Sequence, residues 1–120
     1  MSRQEQQGKP YVKILYDASP GLENHLAEIQ AGLEEQSVPW NLGESSGTIV
    51  QLGTHASRES PLRVGVAIDN NLNIGLFHAQ IRNGPLLHFE QASTRQARVI
   101  GENAGRLVKR TPLISIDNSR

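Results

Sequence analysis

Leu22, Leu26, Ile29 and Leu33 recur at intervals of four, three and four, with Glu23, Glu28, Glu34 and Glu35 outside the stripe. Positions three and four apart share one helical face, so the spacing predicts an amphipathic helix running to about Gln36. Ser19 is placed to cap it, with Pro20 in the first helical position. Ala97, Ile100, Ala104, Leu107 and Val108 predict a second such helix, capped by Ser93 or Thr94 and ending near Arg110, just before Pro112. A weaker stripe through Ile49, Val50, Leu52 and Ala56 predicts a shorter helix that Thr48 caps and Pro61 closes. Strands are expected at Tyr11–Tyr16, Val38–Trp40, Leu62–Asp69, Leu72–His78 and Leu86–Phe89, where β-branched, aromatic and other apolar residues gather between turn signals. Pro39 puts its strand at a beginning or an edge, and Gly43–Gly47 reads as a loop. Leu62–Asp69 alternates poorly but is rich in Val, Ile and Ala, the mark of a strand buried on both faces. Asp69-Asn70-Asn71 turns that strand into Leu72–His78, an antiparallel hairpin. The order β-α-β-α-β-β-β-α predicts an α/β sandwich with a mixed sheet. It occupies 11–113 as one domain, between a polar tail over 1–10 and a second tail over 114–120.

Composition narrows what such a domain does. A chain of 120 residues accommodates a single domain. Twelve Lys and Arg balance twelve Asp and Glu, which disfavours a general polyanion binder. Cysteine is absent, so a disulfide scaffold, a thiolate zinc site and a Cys nucleophile are excluded. No apolar run approaches the ~20 residues of a membrane span, and the first ten residues lack the apolar core of a signal peptide. A soluble intracellular domain is expected.

Catalytic chemistry is thin. His25, His55, His78 and His88 are too scattered for a local metal motif, although His78 and His88 are candidates to meet across neighbouring strands. Gly43-Glu-Ser-Ser-Gly47 lacks the Lys-Ser/Thr ending of a phosphate loop, and no nucleophile elbow occurs. Charge is more informative. The first helix carries four glutamates and no Lys or Arg, whereas the last carries Arg95, Arg98, Arg106, Lys109 and Arg110 against Glu102 alone. Cations at a helix C-terminus suit the macrodipole, and a partner-docking face is the alternative. Glu34 and Glu35 sit where the dipole repels them, so something positive should offset them. A hard divalent cation is one candidate, yet adjacent residues point about 100° apart on a helix and need ligands from another chain to hold one. From spacing alone a solvated face is the simpler reading. Gly101 and Gly105 each cost the helix about 1 kcal/mol relative to Ala, which fits either another backbone packed closely there or a crowded helix-on-sheet contact.

Three segments together resemble a known family. Ser60-Pro-Leu-Arg-Val-Gly-Val-Ala-Ile-Asp69, Gly101-Glu-Asn-Ala-Gly-Arg-Leu-Val-Lys109 with Pro112 behind it, and Ala31-Gly-Leu-Glu-Glu-Gln-Ser-Val-Pro-Trp40 are similar to the small subunit of the diol/glycerol dehydratase reactivating factor. The likeness spans most of Leu26 to Pro112. It departs at Arg110 and Thr111, where the family often has Gly and an apolar residue.

The resemblance implies a three-layer fold with a mixed sheet of about five strands, shared with the medium (β) subunit of adenosylcobalamin-dependent dehydratases and akin to anticodon-binding domains. It also implies a non-catalytic, cytoplasmic chaperone subunit, in or near a bacterial microcompartment. Such a subunit joins a large Hsp70-like ATPase subunit, two plus two. It then takes the place of the dehydratase's β subunit on the dehydratase large subunit, so that damaged cobalamin leaves. By the same resemblance Glu35, with Glu34 beside it, lies at the large-subunit interface and Glu35 ligates a shared Mg²⁺ or Ca²⁺, while this chain alone binds no cofactor. Gly101, Gly105 and Arg106 are further interface candidates. A short dehydratase medium subunit lining the cobalamin pocket is the alternative. A stand-alone nucleic-acid module has little to stack bases on, with only Tyr11, Tyr16, Trp40, Phe77 and Phe89.

Overall fold

The computed structural model describes residues 8–82, 84–110 and 113–114. Its elements follow the expected order: β1 (Val12–Tyr16), α1 (Leu22–Glu35), β2 (Trp40–Glu44), α2 (Ile49–Glu59), β3 (Val64–Ile68), β4 (Ile74–His78), β5 (Leu87–Phe89) and α3 (Thr94–Lys109). The strands form one sheet in the order β2-β1-β3-β4-β5. β1 lies parallel to both β2 and β3, while β3–β4 and β4–β5 are antiparallel. The expected hairpin therefore extends by one strand into a three-stranded meander.

Alternation along the strands sorts the core into two layers. Val12, Ile14, Val64, Val66, Ile68, Ile74 and Leu76 face α1 and α3, where Ile29, Leu33, Ala97, Ile100 and Ala104 meet them. Leu15, Ala67 and Phe77 face α2 and pack on Leu52 and Ala56. Every residue of β3 is buried, as its lack of alternation predicts. Two glycines let α2 lie close to the sheet. A Cβ on Gly65 would stand 2.4 Å from the Ser57 nitrogen, and one on Gly53 would stand 2.0 Å from Cε1 of Phe77.

Short-range chemistry sets most of the helix ends. Thr48 and Ser93 each accept from the backbone N–H three residues on, and Gln51 and Gln96 reach back to close capping boxes. Ser19 does not cap α1. The helix starts two residues after Pro20, with Gly21 at φ 82° as its N-cap and no side-chain cap. The left-handed turn at Gly21 comes between Pro20 and the helix, a conformation glycine adopts without a Cβ penalty. The strand expected at Val38–Trp40 runs instead from Trp40 to Glu44, because Gly43 and Glu44 pair with Leu15 and Tyr16. It is an edge strand, as Pro39 indicates. The hairpin loop is longer than the Asp-Asn-Asn turn. Ile68 pairs with Ile74, and Asp69 folds 69–73 by accepting from the backbone of Asn71 and Asn73 and from the Asn73 amide. Pro112 and Thr111 lie outside the described residues.

Candidate functional site

The four histidines make no common site. β5 pairs Gly75 with His88, and β3 pairs Val64 with His78, so the two histidines occupy positions of opposite alternation and face opposite sides of the sheet. His25 is buried, and its Nε2 donates to the Ala92 carbonyl at 2.7 Å, tying α1 to the turn before α3. His55 and His88 are exposed. Among the described residues no group of three or more His, Asp or Glu is arranged to hold a metal.

The charged residues converge instead where α1 and α3 run side by side in the same direction. Ile29 lies beside Gly101 and Gln36 beside Gly105. A Cβ on Gly101 would stand 2.1 Å from the Ile29 carbonyl oxygen, and one on Gly32 would stand 2.6 Å from the Glu102 nitrogen. The close backbone anticipated at the glycines of α3 thus belongs to the chain's own first helix. Gly101 and Gly105 are buried against it, so packing within the chain is enough to account for both glycines. Gly32, on the α1 side of the crossing, carries no sequence signal of its own beyond its place in the quoted helix-end segment.

This approach brings Arg98 between the two helices' acids. Its Nη1 lies 3.1 Å from Glu28 Oε1, its Nη2 2.7 Å from Glu35 Oε2, and its Nε 3.6 Å from Glu102 Oε2. One guanidinium therefore faces three carboxylates, and the positive charge that the end of α1 requires comes first from within the chain. Part of the charge segregation along the sequence is accounted for by this crossing. The hydrogen bond with Glu102, then the one from Arg98, holds the Glu35 carboxyl below the usual carboxylate range. Burial, then the hydrogen bond and charge of Glu35, pushes Glu102 above it. When the pair holds one proton, it therefore resides on Glu102 and Glu35 keeps its charge. Arg106 adds a smaller favourable field at Glu102 from half-buried surroundings.

Glu34 is exposed, and Glu35 has half of its side-chain surface open. The donor set is hard oxygen, which suits Mg²⁺ or Ca²⁺. Arg98 nevertheless occupies the centre of the carboxylate cluster, so a cation cannot replace it there without leaving that half-buried charge among fewer partners. Only the outward side of Glu35 is left open to a cation, and there this chain offers a single carboxylate.

A family model described as dehydratase medium subunit matches residues 9–114. The chain belongs to that family. Within the dehydratase medium subunit family it is similar to the probable glycerol dehydratase-reactivating factor small subunit of Citrobacter freundii, 35% identical over 111 residues, or 89% of this chain and 95% of that one. Among solved structures it superposes on a glycerol dehydratase reactivase chain with a TM-score of 0.83 and 38% identity, covering 89% of this chain and 98% of the other. A chain of a diol dehydratase-reactivating factor complexed with ADP and Mg²⁺ gives a TM-score of 0.77 at 28% identity, over 90% and 100% of the two chains. No helix among the described residues is long and apolar enough to cross a membrane.

Two further features of this family member stand out, the first of which escapes sequence reading. Asn103, inside the Gly101–Gly105 motif, is fully buried, and its amide bonds both the N–H and the C=O of Ile114. A side-chain amide mid-helix thereby substitutes for a neighbouring strand, and nothing in helical spacing signals it. Arg110, where the dehydratase-reactivase resemblance expects Gly, is the C-cap of α3 at φ 61°. A left-handed C-cap favours glycine because any Cβ is crowded there. Arg110→Gly is expected to stabilise the domain by about 0.5–1 kcal/mol, raising the melting temperature by about 2–4 °C in differential scanning calorimetry. An unchanged or lower value would show that the arginine side chain contributes more than its backbone strain removes.

Proposed function

We propose that this chain is the small, non-catalytic subunit of an ATP-dependent reactivating factor for adenosylcobalamin-dependent diol or glycerol dehydratase. The observation that carries the reading is its near full-length likeness, in sequence and in fold, to a glycerol dehydratase reactivase chain. ATP hydrolysis belongs to the large subunit, with which this chain assembles two plus two in the cytoplasm or a bacterial microcompartment. In the working cycle the small subunit leaves that complex and occupies the medium-subunit position on the dehydratase large subunit, which opens the enzyme for exchange of damaged cobalamin. Membership of a family described by the medium subunit supports this substitution, because a subunit that takes another's place needs the same framework.

Glu34 and Glu35 are the residues of this chain that face the large subunit, and Arg106 lies toward the same surface. Glu35 supplies one carboxylate to a divalent cation whose remaining ligands come from the partner. Arg98 orients that carboxylate through Oε2, and Glu102 and Arg98 together favour its ionised form. A diol dehydratase-reactivating factor of the same fold has been solved in complex with ADP and Mg²⁺, which is consistent with such an ion.

The test is co-expression with the large ATPase subunit of a reactivating factor, followed by size-exclusion chromatography with light scattering. A stable hetero-oligomer that exchanges partners when ATP and dehydratase are added supports the proposal. Failure to co-elute, together with tight binding to a dehydratase large subunit and cobalamin, would make this chain a short medium subunit of the enzyme. Within the complex, Glu35→Gln is expected to weaken assembly roughly tenfold, about 1.4 kcal/mol. A chelator should weaken wild type to the same level and leave the variant unchanged. Equal chelator sensitivity in both would remove Glu35 from the ion's ligands.

A further inference from the structure

On the side of the sheet away from Arg98, the last turns of α2 and the segment after β4 line a cationic site. A cavity of about 280 Å³ is lined by Thr54, Ser57 and Arg58 from α2, Phe77 from β4, and Ile81 and Arg82 beyond it. Among the described residues no carboxylate lines it. Whereas Arg98 is surrounded by acids, among the described residues neither Arg58 nor Arg82 makes an ion pair or a side-chain hydrogen bond. The α2 dipole accounts for a cation at Arg58, in that helix's last turn. It does not account for Arg82, which arrives from a different element.

The lining indicates what the cavity would take. Two guanidiniums from separate elements match the double charge and the several oxygen faces of a dianionic phosphate. The Ser57 hydroxyl already donates to the Thr54 carbonyl at 3.0 Å, which leaves the Thr54 hydroxyl as a third donor. The cavity is larger than the five heavy atoms of a phosphate fill. Phe77 and Ile81, the latter 48% exposed, supply an apolar wall for the remainder. We propose that this cavity binds a small phosphate monoester, with the phosphoryl group between Arg58 and Arg82 and the organic part against Phe77 and Ile81. The site lies across the sheet from Glu35, and it stands or falls independently of the reactivating role.

Phenyl phosphate and inorganic phosphate, titrated separately into the ¹⁵N-labelled full chain, test it. Saturable shifts confined to amides around Thr54, Ser57 and Arg82 are expected, with phenyl phosphate the tighter ligand. Arg82→Gln and Arg58→Gln, both at exposed positions, should each weaken binding about tenfold, the effect of losing one charge-assisted contact, while amide spectra elsewhere stay unchanged. Shifts that fail to saturate, that scatter over the surface, or that persist unaltered in Arg82→Gln would overturn the site. Equal affinity for the two phosphates would overturn the claim that it holds an organic part.

Discussion

Gly101→Ala is expected to destabilise the domain by about 3 kcal/mol, lowering its melting temperature by about 12 °C. In an isolated helix the same change would be favourable by up to about 1 kcal/mol. The sign reverses because the new methyl would stand 2.1 Å from a backbone carbonyl of α1, which no rotamer change relieves. Either the helices separate, opening the Leu33–Ile100 side of the core, or the Ile29 peptide tilts out of its helical hydrogen bond. Gly105→Ala serves as the comparison. Its methyl would stand 2.4 Å from Cβ and 2.6 Å from Cγ of Gln36, and Cβ yields only if the backbone shifts. Because Gln36 is the C-cap of α1 rather than an interior helical residue, that shift costs less and a smaller loss is expected. Thermal melts of the two variants decide the matter, and equal losses would mean that the crossing is looser than the backbone contact indicates. Because Arg98 and Glu35 lie across the same crossing, Gly101→Ala should also disturb their ion pair.

Phe77→Ala should cost about 3–5 kcal/mol, since among the described residues the α2-side core has one aromatic ring in a cluster of five buried apolar residues. Gly53 makes this a sharper experiment. Alone, Gly53→Ala drives a methyl to 2.0 Å from that ring and should cost about 2–3 kcal/mol. Once Phe77 is alanine, the methyl enters the space the ring has left, and Gly53→Ala should stabilise by up to about 1 kcal/mol through helix propensity and partial filling. Chemical denaturation of the four proteins closes the cycle. Additive losses would show that α2 moves off the sheet rather than resting on the ring.

What the sequence disclosed, and what it withheld, follows from the range of the interactions. The stripes of α1 and α3, the cap at Thr48, the cap at Ser93 or Thr94, and the unbroken apolar run of β3 are set within a few residues, and each is legible, although the Gln51 and Gln96 halves of the capping boxes are seen only in the structure. Gly43 and Glu44 read as a loop because glycine signals a turn locally. Their pairing with β1 depends on residues 28 positions earlier, Leu15↔Gly43 and Tyr16↔Glu44. The acidic and basic helices are equally visible, but their mutual satisfaction depends on α1 and α3 lying side by side, which no spacing within either helix encodes. The same holds for Gly32, whose reason is Glu102, and for Asn103, whose reason is Ile114. Glu35 is legible as a residue needing a positive neighbour, while the identity of that neighbour, Arg98, is fixed only by packing.

The sheet order also governs when the parts can assemble. β1 is the first strand in the chain yet lies in the interior of the sheet, with β2 on one side and β3 on the other. The meander of β3, β4 and β5 closes through short connections, whereas Lys13 must find Gly65 across half of the domain. Local pairings form fast and distant ones slowly, so the meander is expected to precede the insertion of β1. On a ribosome, one edge of β1 stays open until β3 has emerged, and for that interval the nascent chain presents an apolar strand with no partner along that edge.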